Sequence, residues 1–227
     1  AVRGQAPYKA VLTHGFIVDG EGRKMSKSIG NTVAPEEIIS RYGADVLRLW
    51  AASADYRADI RVSEEILKQM SEVYRRIRNT IRFMLGNIAD FDVKTHRVQR
   101  AELPEVDQYI LSQFYRLAQK VIKAYDDYEF HVMYHDVHNF CAVDLGSFYL
   151  DVIKDRLYCD APDSFSRRAA QTVICEILLG LVRLIAPVMV HTAEEAWQHI
   201  PSELRDDASV HLGEWPEVDE NVLDAEL

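Results

Sequence analysis

From Ile66 to Ile88, apolar residues recur in steps of three and four: Ile66, Met70, Val73, Ile77, Ile81, Met84 and Ile88. That period lays one apolar stripe along a helix, and a stripe this long needs other helices to cover it. Ser63 stands in front as a cap, and Glu64 and Glu65 follow in the first turn, where acids suit the helix dipole. Val106, Ile110, Phe114, Leu117 and Val121 predict a second helix from Glu105 to Tyr125. A third covers roughly 130–158, with a break expected near Gly146. A fourth runs from Ser166 through Val173, Ile177, Leu181 and Leu184 to Pro187, which ends or kinks it. Thr192 with Glu195 reads as a capping box for a last short helix ending before Pro201. The expected fold class is mainly α: an antiparallel helical bundle, preceded by a short α/β segment.

That first segment reads differently. Lys9–Thr13 and Phe16–Val18 look like short strands, with the Asp19-Gly20 and Glu21-Gly22 pairs marking a turn after them. Pro35, Glu36 and Glu37 open a helix behind the poor cap Ala34, and Gly43 closes it. Asp45 is expected to cap the next short helix, through Leu47, Leu49 and Trp50. A chain of 227 residues is long enough to bury a sizeable core in one or two domains. It holds no apolar run that could span a membrane. Its three cysteines, Cys141, Cys159 and Cys175, are widely spaced and odd in number, which fits free thiols in a reducing cytoplasm.

Between strand and bundle lies Lys24-Met25-Ser26-Lys27-Ser28, flanked by Gly20, Gly22 and Gly30. Two flexible ammonium groups, small hydroxyls and glycine-freed backbone N–H groups are suited to polyphosphate. Taken alone, the pattern fits a solvated basic turn as well. Its surroundings decide otherwise. Upstream stand Ala6-Pro7-Tyr8-Lys9 and Leu12-Thr13-His14-Gly15-Phe16. Downstream come Ser28-Ile29-Gly30-Asn31-Thr32-Val33, Gly43-Ala44-Asp45-Val46-Leu47-Arg48-Leu49-Trp50, Tyr74-Arg75-Arg76-Ile77-Arg78-Asn79-Thr80 and Lys154-Asp155-Arg156-Leu157-Tyr158.

Together these resemble the bacterial isoleucyl branch of the class I aminoacyl-tRNA synthetases, whose second signature is the KMSKS loop. The resemblance runs through almost the whole chain and is weakest after Ile200. It implies a remnant of the nucleotide-binding catalytic domain with connecting helices over 1–62, an anticodon-binding bundle over 63–200, and a tail over 201–227. It also implies ATP-dependent activation of isoleucine and its transfer to tRNA(Ile), with magnesium accompanying ATP. Lys24 and Lys27 then carry the catalytic role, and Lys24, Met25, Ser26, Lys27 and Ser28 form the ATP-phosphate contact, Met25 chiefly as packing. The family's His-x-Gly-His signature, its editing insertion and the zinc-binding Cys-x-x-Cys element of the longer enzyme are absent from this sequence. The resemblance therefore implies an excised piece, monomeric, that is inactive alone. His14 lacks its partner motif and reads as structural.

Arg75, Arg76, Arg78 and Arg82, with Asn79, are the candidate tRNA contacts: guanidinium groups along a helix can grip successive phosphates. A solvated face paired with acids such as Glu72 is the competing reading. Lys154 and Arg156 are open to the same pair of readings, with Asp151 and Asp155 as their in-helix partners. The net charge of -10 argues against nucleic acid, but it is unevenly spread, at +5 over residues 1–100 and -15 over 101–227. His131, His135, His138 and Cys141 share a helix side, yet one straight helix spreads them over about 15 Å, too far to close on one metal. No metal site is expected in this chain. Two alternatives stand beside the ligase reading. A free-standing, non-catalytic tRNA- or RNA-binding helical module would keep an inherited loop. An unrelated ATP-using enzyme would carry the lysines by coincidence, which the breadth of the match disfavours.

Overall fold

The structure is a computed structural model that describes residues 4 and 6–218. The part of the expected tail beyond Val218 lies outside the described residues. A parallel pair of short strands, β1 (Ile17–Asp19) and β2 (Ile60–Val62), pairs Ile17 with Ile60 and Asp19 with Val62. Between them run α1 (Pro35–Tyr42) and α2 (Ala44–Ser53), a crossover of the kind parallel strands require. Lys9–Thr13 is not a strand; these residues are exposed and hydrogen-bond to no strand among those described. β2, which carries a central arginine, is the partner that β1 takes instead.

α3 (Glu64–Asn87) follows at once, and Ser63 Oγ accepts the Ile66 N–H as its cap. After α4 (Val93–His96) come α5 (Glu105–Asp126) and α6 (Phe130–Asn139). The turn between these two is fixed by Tyr128, which sits at φ 58°. Its carbonyl accepts the Tyr56 hydroxyl at 2.9 Å, so the first segment holds a bundle turn in place. The helical path runs on from α6 as a π-helix, Phe140–Tyr149, then α7 (Leu150–Val152) and α8 (Lys154–Tyr158). The expected break at Gly146 is therefore absent. The chain widens to π geometry there, and the helix is interrupted at Ile153. α9 (Phe165–Ile185) is capped by Ser164 and passes close to α5. A Cβ on Gly180 would lie 2.3 Å from the Phe114 ring, so no larger residue fits that crossing. α10 (Val190–His199) completes the bundle.

The main core lies inside α3, α5, α6, the π-helix, α9 and α10, around Ile77, Met84, Ile110, Phe114, Leu145, Tyr149, Ile177 and Trp197. A smaller cluster of Ile38, Trp50, Val62 and Leu67 joins the strand segment to α3, and Met25 rests on it. Trp50 adds a bond from its indole N–H to the Arg61 carbonyl at 3.1 Å.

Two capping expectations are corrected. Thr192 lies inside α10 rather than at its start, and Asp45 does not cap its own helix. Instead, the buried Asp45 carboxylate accepts the backbone N–H groups of His191 and Thr192 and the Thr192 hydroxyl, at 3.2, 2.7 and 2.6 Å. It thus satisfies the open N–H groups of a helix that begins about 145 residues later. Arg48, one turn further along α2, donates to the carbonyls of Pro187 and Val188 at 2.8 and 2.9 Å. An acid at the start of α10 and a base at the exit of α9 both match the helix dipoles. α2 in this way clamps the α9–α10 connection to the strand segment.

Candidate functional site

From the end of β1 the chain makes two consecutive tight turns, the first over Val18–Lys24 and the second over Ser26–Gly30. The first is closed by the Asp19 N–H to the Arg23 carbonyl at 3.0 Å and by an antiparallel bridge between Val18 and Lys24. Gly22 takes φ 82° in this turn. The second is closed by the Gly30 N–H, which reaches the Ser26 carbonyl at 3.1 Å and the Lys27 carbonyl at 3.3 Å. Gly30 sits at φ 74° in open space, a conformation an L side chain would strain.

Asp19 lies beneath both turns. Its Oδ1 accepts the N–H groups of Glu21 and Arg23 at 3.0 and 2.8 Å. Its Oδ2 accepts Arg23 Nε and Asn31 Nδ2, each at 2.9 Å. The Asn31 amide and the Arg23 backbone N–H hold this carboxylate far below the usual aspartate range, with the Arg23 guanidinium adding to them. Asn31 also accepts the Ser26 N–H through Oδ1 at 2.8 Å.

The candidate side chains fall into two groups. Lys24 and Lys27 are exposed, and neither forms an ion pair among the described residues. Ser28 is exposed, and its hydroxyl lies 2.6 Å from that of Ser26. Met25 turns inward onto the Ile38–Trp50 cluster, so it anchors the loop and presents no polar group. The loop therefore offers two unpaired ammonium groups and two hydroxyls on a braced backbone. His14 is exposed, with Nδ1 2.7 Å from its neighbour's carbonyl, and stands apart from the loop's hydrogen bonds.

The arginines of α3 divide as well. Arg75 pairs with Glu72, and Arg78 reaches Glu195 of α10 at 3.4 Å. Arg76, Asn79 and Arg82 are exposed, and no ion pair holds either arginine among the described residues. Arg78 and Arg82 line an open groove of about 450 Å³ between α3 and α10, with Ile81, Leu85, Glu195 and His199. Both sequence readings thus apply, to different residues of one row. Lys154 pairs with Asp151 within its helix. Arg156 does not follow it. Its guanidinium turns into the bundle and binds the fully buried Asp107 at 2.6 and 3.0 Å.

The histidine row does not converge. Cys141 is wholly buried, and burial pushes its thiol up to about 12. Among the described residues, no three His, Cys, Asp or Glu side chains group as metal ligands. No helix among them is long and apolar enough to cross a membrane. All three cysteines are free. Sequence reasoning singled out Lys24 to Ser28 but missed Asp19 and Asn31 as the brace. The Asp-Gly pair signalled a turn, and nothing in it signalled that the carboxylate reaches twelve residues ahead.

In comparisons with known proteins, the lysine loop falls within a matched family and the α3 arginines lie between two such matches. The family described as tRNA synthetases class I (I, L, M and V) matches residues 1–63, and the anticodon-binding domain of tRNA ligase matches residues 107–227. The isoleucine–tRNA ligase of Brevibacillus brevis is 56% identical over 223 residues, covering 98% of this chain and 24% of that protein. That of Carboxydothermus hydrogenoformans is 56% identical over all 227 residues, again 24% of its own length. The chain thus spans about a quarter of the length of the curated relatives it matches. Among solved structures, Agrobacterium radiobacter LeuRS in a ternary complex with tRNA and LeuAMS aligns with 94% of this chain and 24% of its own, at a TM-score of 0.68 and 22% identity. Mycobacterium tuberculosis methionyl-tRNA synthetase with methionyl-adenylate aligns with 81% of this chain and 36% of its own, at 0.66 and 23%.

Proposed function

The chain belongs to the anticodon-binding domain family of the tRNA ligases, joined to a class I (I, L, M and V) synthetase segment, and from that premise we propose that it is part of an isoleucine–tRNA ligase. In this reading residues 1–62 close the catalytic domain, 63–200 bind tRNA(Ile), and 201–227 lead onward. The reaction joins isoleucine to ATP: a carboxylate oxygen bonds the α-phosphorus, the bond to pyrophosphate breaks, and aminoacyl-adenylate forms before transfer to tRNA. Negative charge spreads over the α-phosphorus and the leaving diphosphate as this happens. Ammonium groups brought to that charge stabilise the transition state more than the ground state.

The observation that carries the reading is the braced loop with Lys24 and Lys27 both exposed and unpaired. Lys27 supplies the direct phosphate contact and Lys24 the second. Ser26, Ser28 and the neighbouring N–H groups are further donors to the ATP phosphates, and magnesium accompanies ATP in the reaction. A full-length ligase carrying this sequence is expected to catalyse isoleucine-dependent ATP–pyrophosphate exchange; exchange driven by another amino acid, or by none, would overturn the assignment. The free thiols suit a reducing cytoplasm, and a monomer is the proposed state.

On α3, Arg76, Asn79 and Arg82 are proposed as the primary tRNA contacts, because they are exposed and no ion pair occupies either arginine. Arg75 and Arg78 join them only by releasing Glu72 and Glu195. Arg82→Glu is therefore expected to weaken tRNA(Ile) binding by the full-length ligase and to lower its salt slope by about one. Binding measured across a salt series checks this, and an unchanged affinity and slope would remove Arg82 from the interface.

A further inference from the structure

The two turns of the lysine loop are closed separately, and among the described residues only Asn31 joins the second to the first by hydrogen bonds. Its Nδ2 donates to Asp19 Oδ2 at 2.9 Å and to the Lys24 carbonyl at 3.3 Å, while its Oδ1 accepts the Ser26 N–H at 2.8 Å. Lys24 rises from the first turn and Lys27 from the second; besides the intervening Met25 and Ser26, with Met25 packed on the small cluster, this one amide sets the relation between the two ammonium stems. We infer that Asn31 is a positioning residue for phosphate contact, a cross-brace that holds the Lys27 turn against the Lys24 turn with Asp19 as its anchor. The inference rests on the proposed reading of the loop as phosphate-contacting.

The chemistry explains why an amide stands there. The brace needs a donor towards Asp19 and an acceptor towards the Ser26 N–H, on one rigid plane. Alanine supplies neither. Aspartate keeps the acceptor, loses the donor and sets a second carboxylate against Asp19. The charged groups around that point are Asp19 itself, Arg23 bonded to it, Glu21 paired with Arg23, the ammonium of Lys24 nearby in the chain, and the Arg61 guanidinium of β2, whose Nη2 comes within 3.5 Å of where a Cβ on Gly22 would stand. Two facing carboxylates raise the pKa of one of them. As pH falls, the carboxyl introduced by Asn31→Asp takes up a proton and regains an O–H that can donate to Asp19. The defect of Asn31→Asp therefore reverses in acid, and that of Asn31→Ala does not.

The test uses the full-length ligase. At pH 8, Asn31→Asp and Asn31→Ala are each expected to lower kcat for ATP–pyrophosphate exchange by about tenfold to a hundredfold, the scale of a misplaced reacting group, with KM for isoleucine unchanged. Towards pH 6, Asn31→Asp recovers relative to wild type and Asn31→Ala stays low. Wild-type kcat in Asn31→Ala, or an Asn31→Asp defect that ignores pH, would overturn the inference. Hydrogen exchange at the Ser26 amide tests the brace independently of any activity: protection falls in Asn31→Ala, and unchanged protection rejects the proposal. A wild-type enzyme that activates another amino acid would defeat the isoleucine assignment while leaving the brace to be judged by that exchange rate.

Discussion

Lys27→Ala in the full-length ligase is expected to lower isoleucine-dependent ATP–pyrophosphate exchange by about a hundredfold or more, with isoleucine binding little changed. The size follows from what is removed: one preorganised cationic donor aimed at developing charge, of the kind whose loss costs about two to three orders of magnitude in rate. The position follows from the structure. Lys27 is exposed on a turn whose ends are tied by Gly30 and by the Ser26 N–H, so its backbone is held while its ammonium is free. It engages no carboxylate among the described residues, so the substitution breaks no internal ion pair and should leave the fold intact. Asn31→Ala misplaces the ammonium whereas Lys27→Ala deletes it, so Lys27→Ala is the more damaging of the two. The check is exchange at saturating ATP and isoleucine, with thermal unfolding alongside. A wild-type rate would remove Lys27 from the reaction.

The helical bundle was legible in the sequence because its signal is periodic and repeated. Seven apolar residues from Ile66 to Ile88 define one face of α3, and similar runs define α5 and α9 within a residue or two of their observed ends. What the sequence hid was wherever a polar side chain serves a distant partner. Asp45 looked like the cap of the helix it begins, since local capping is the common use of such an acid. It caps α10 instead, and only the tertiary approach of α2 to α9 and α10 makes that possible. Thr192 looked like a cap for the same local reason and is the recipient. β2 escaped notice because its apolar–polar–apolar alternation lasts only three residues, too short to read as a strand. The lysines of the loop were found through their motif. Their brace was not, because hydrogen bonds from Asn31 back to Asp19 and Ser26 leave no period to read.

Arg156 teaches the same lesson with a larger consequence: Arg156→Met is expected to destabilise the chain by about 3–5 kcal/mol, the cost of leaving a buried charge without its partner. Asp107 is 0% exposed, in the first turn of α5. Arg156 grips both its oxygens and also donates to the Ser166 carbonyl, and the Tyr149 hydroxyl donates to Asp107 Oδ1 at 2.6 Å. Burial first, and then the Asp107 charge, raise the Tyr149 phenol well above the ordinary tyrosine range, so it remains a donor across the working pH range. One carboxylate therefore ties α5 to the π-helix, to α8 and to the start of α9. With methionine at 156, the apolar stem still fills space, but the carboxylate keeps a single neutral donor. The loss should shrink if the charge is removed first: Arg156→Met made in an Asp107→Asn background is expected to cost about 1–3 kcal/mol less than in the wild type, the coupling of contacting residues. Denaturant unfolding of the four proteins measures that difference directly. Equal costs in both backgrounds would mean that the charge on Asp107 is not what Arg156 is there to satisfy, and that the guanidinium's bond to Ser166 and its packing hold the bundle instead.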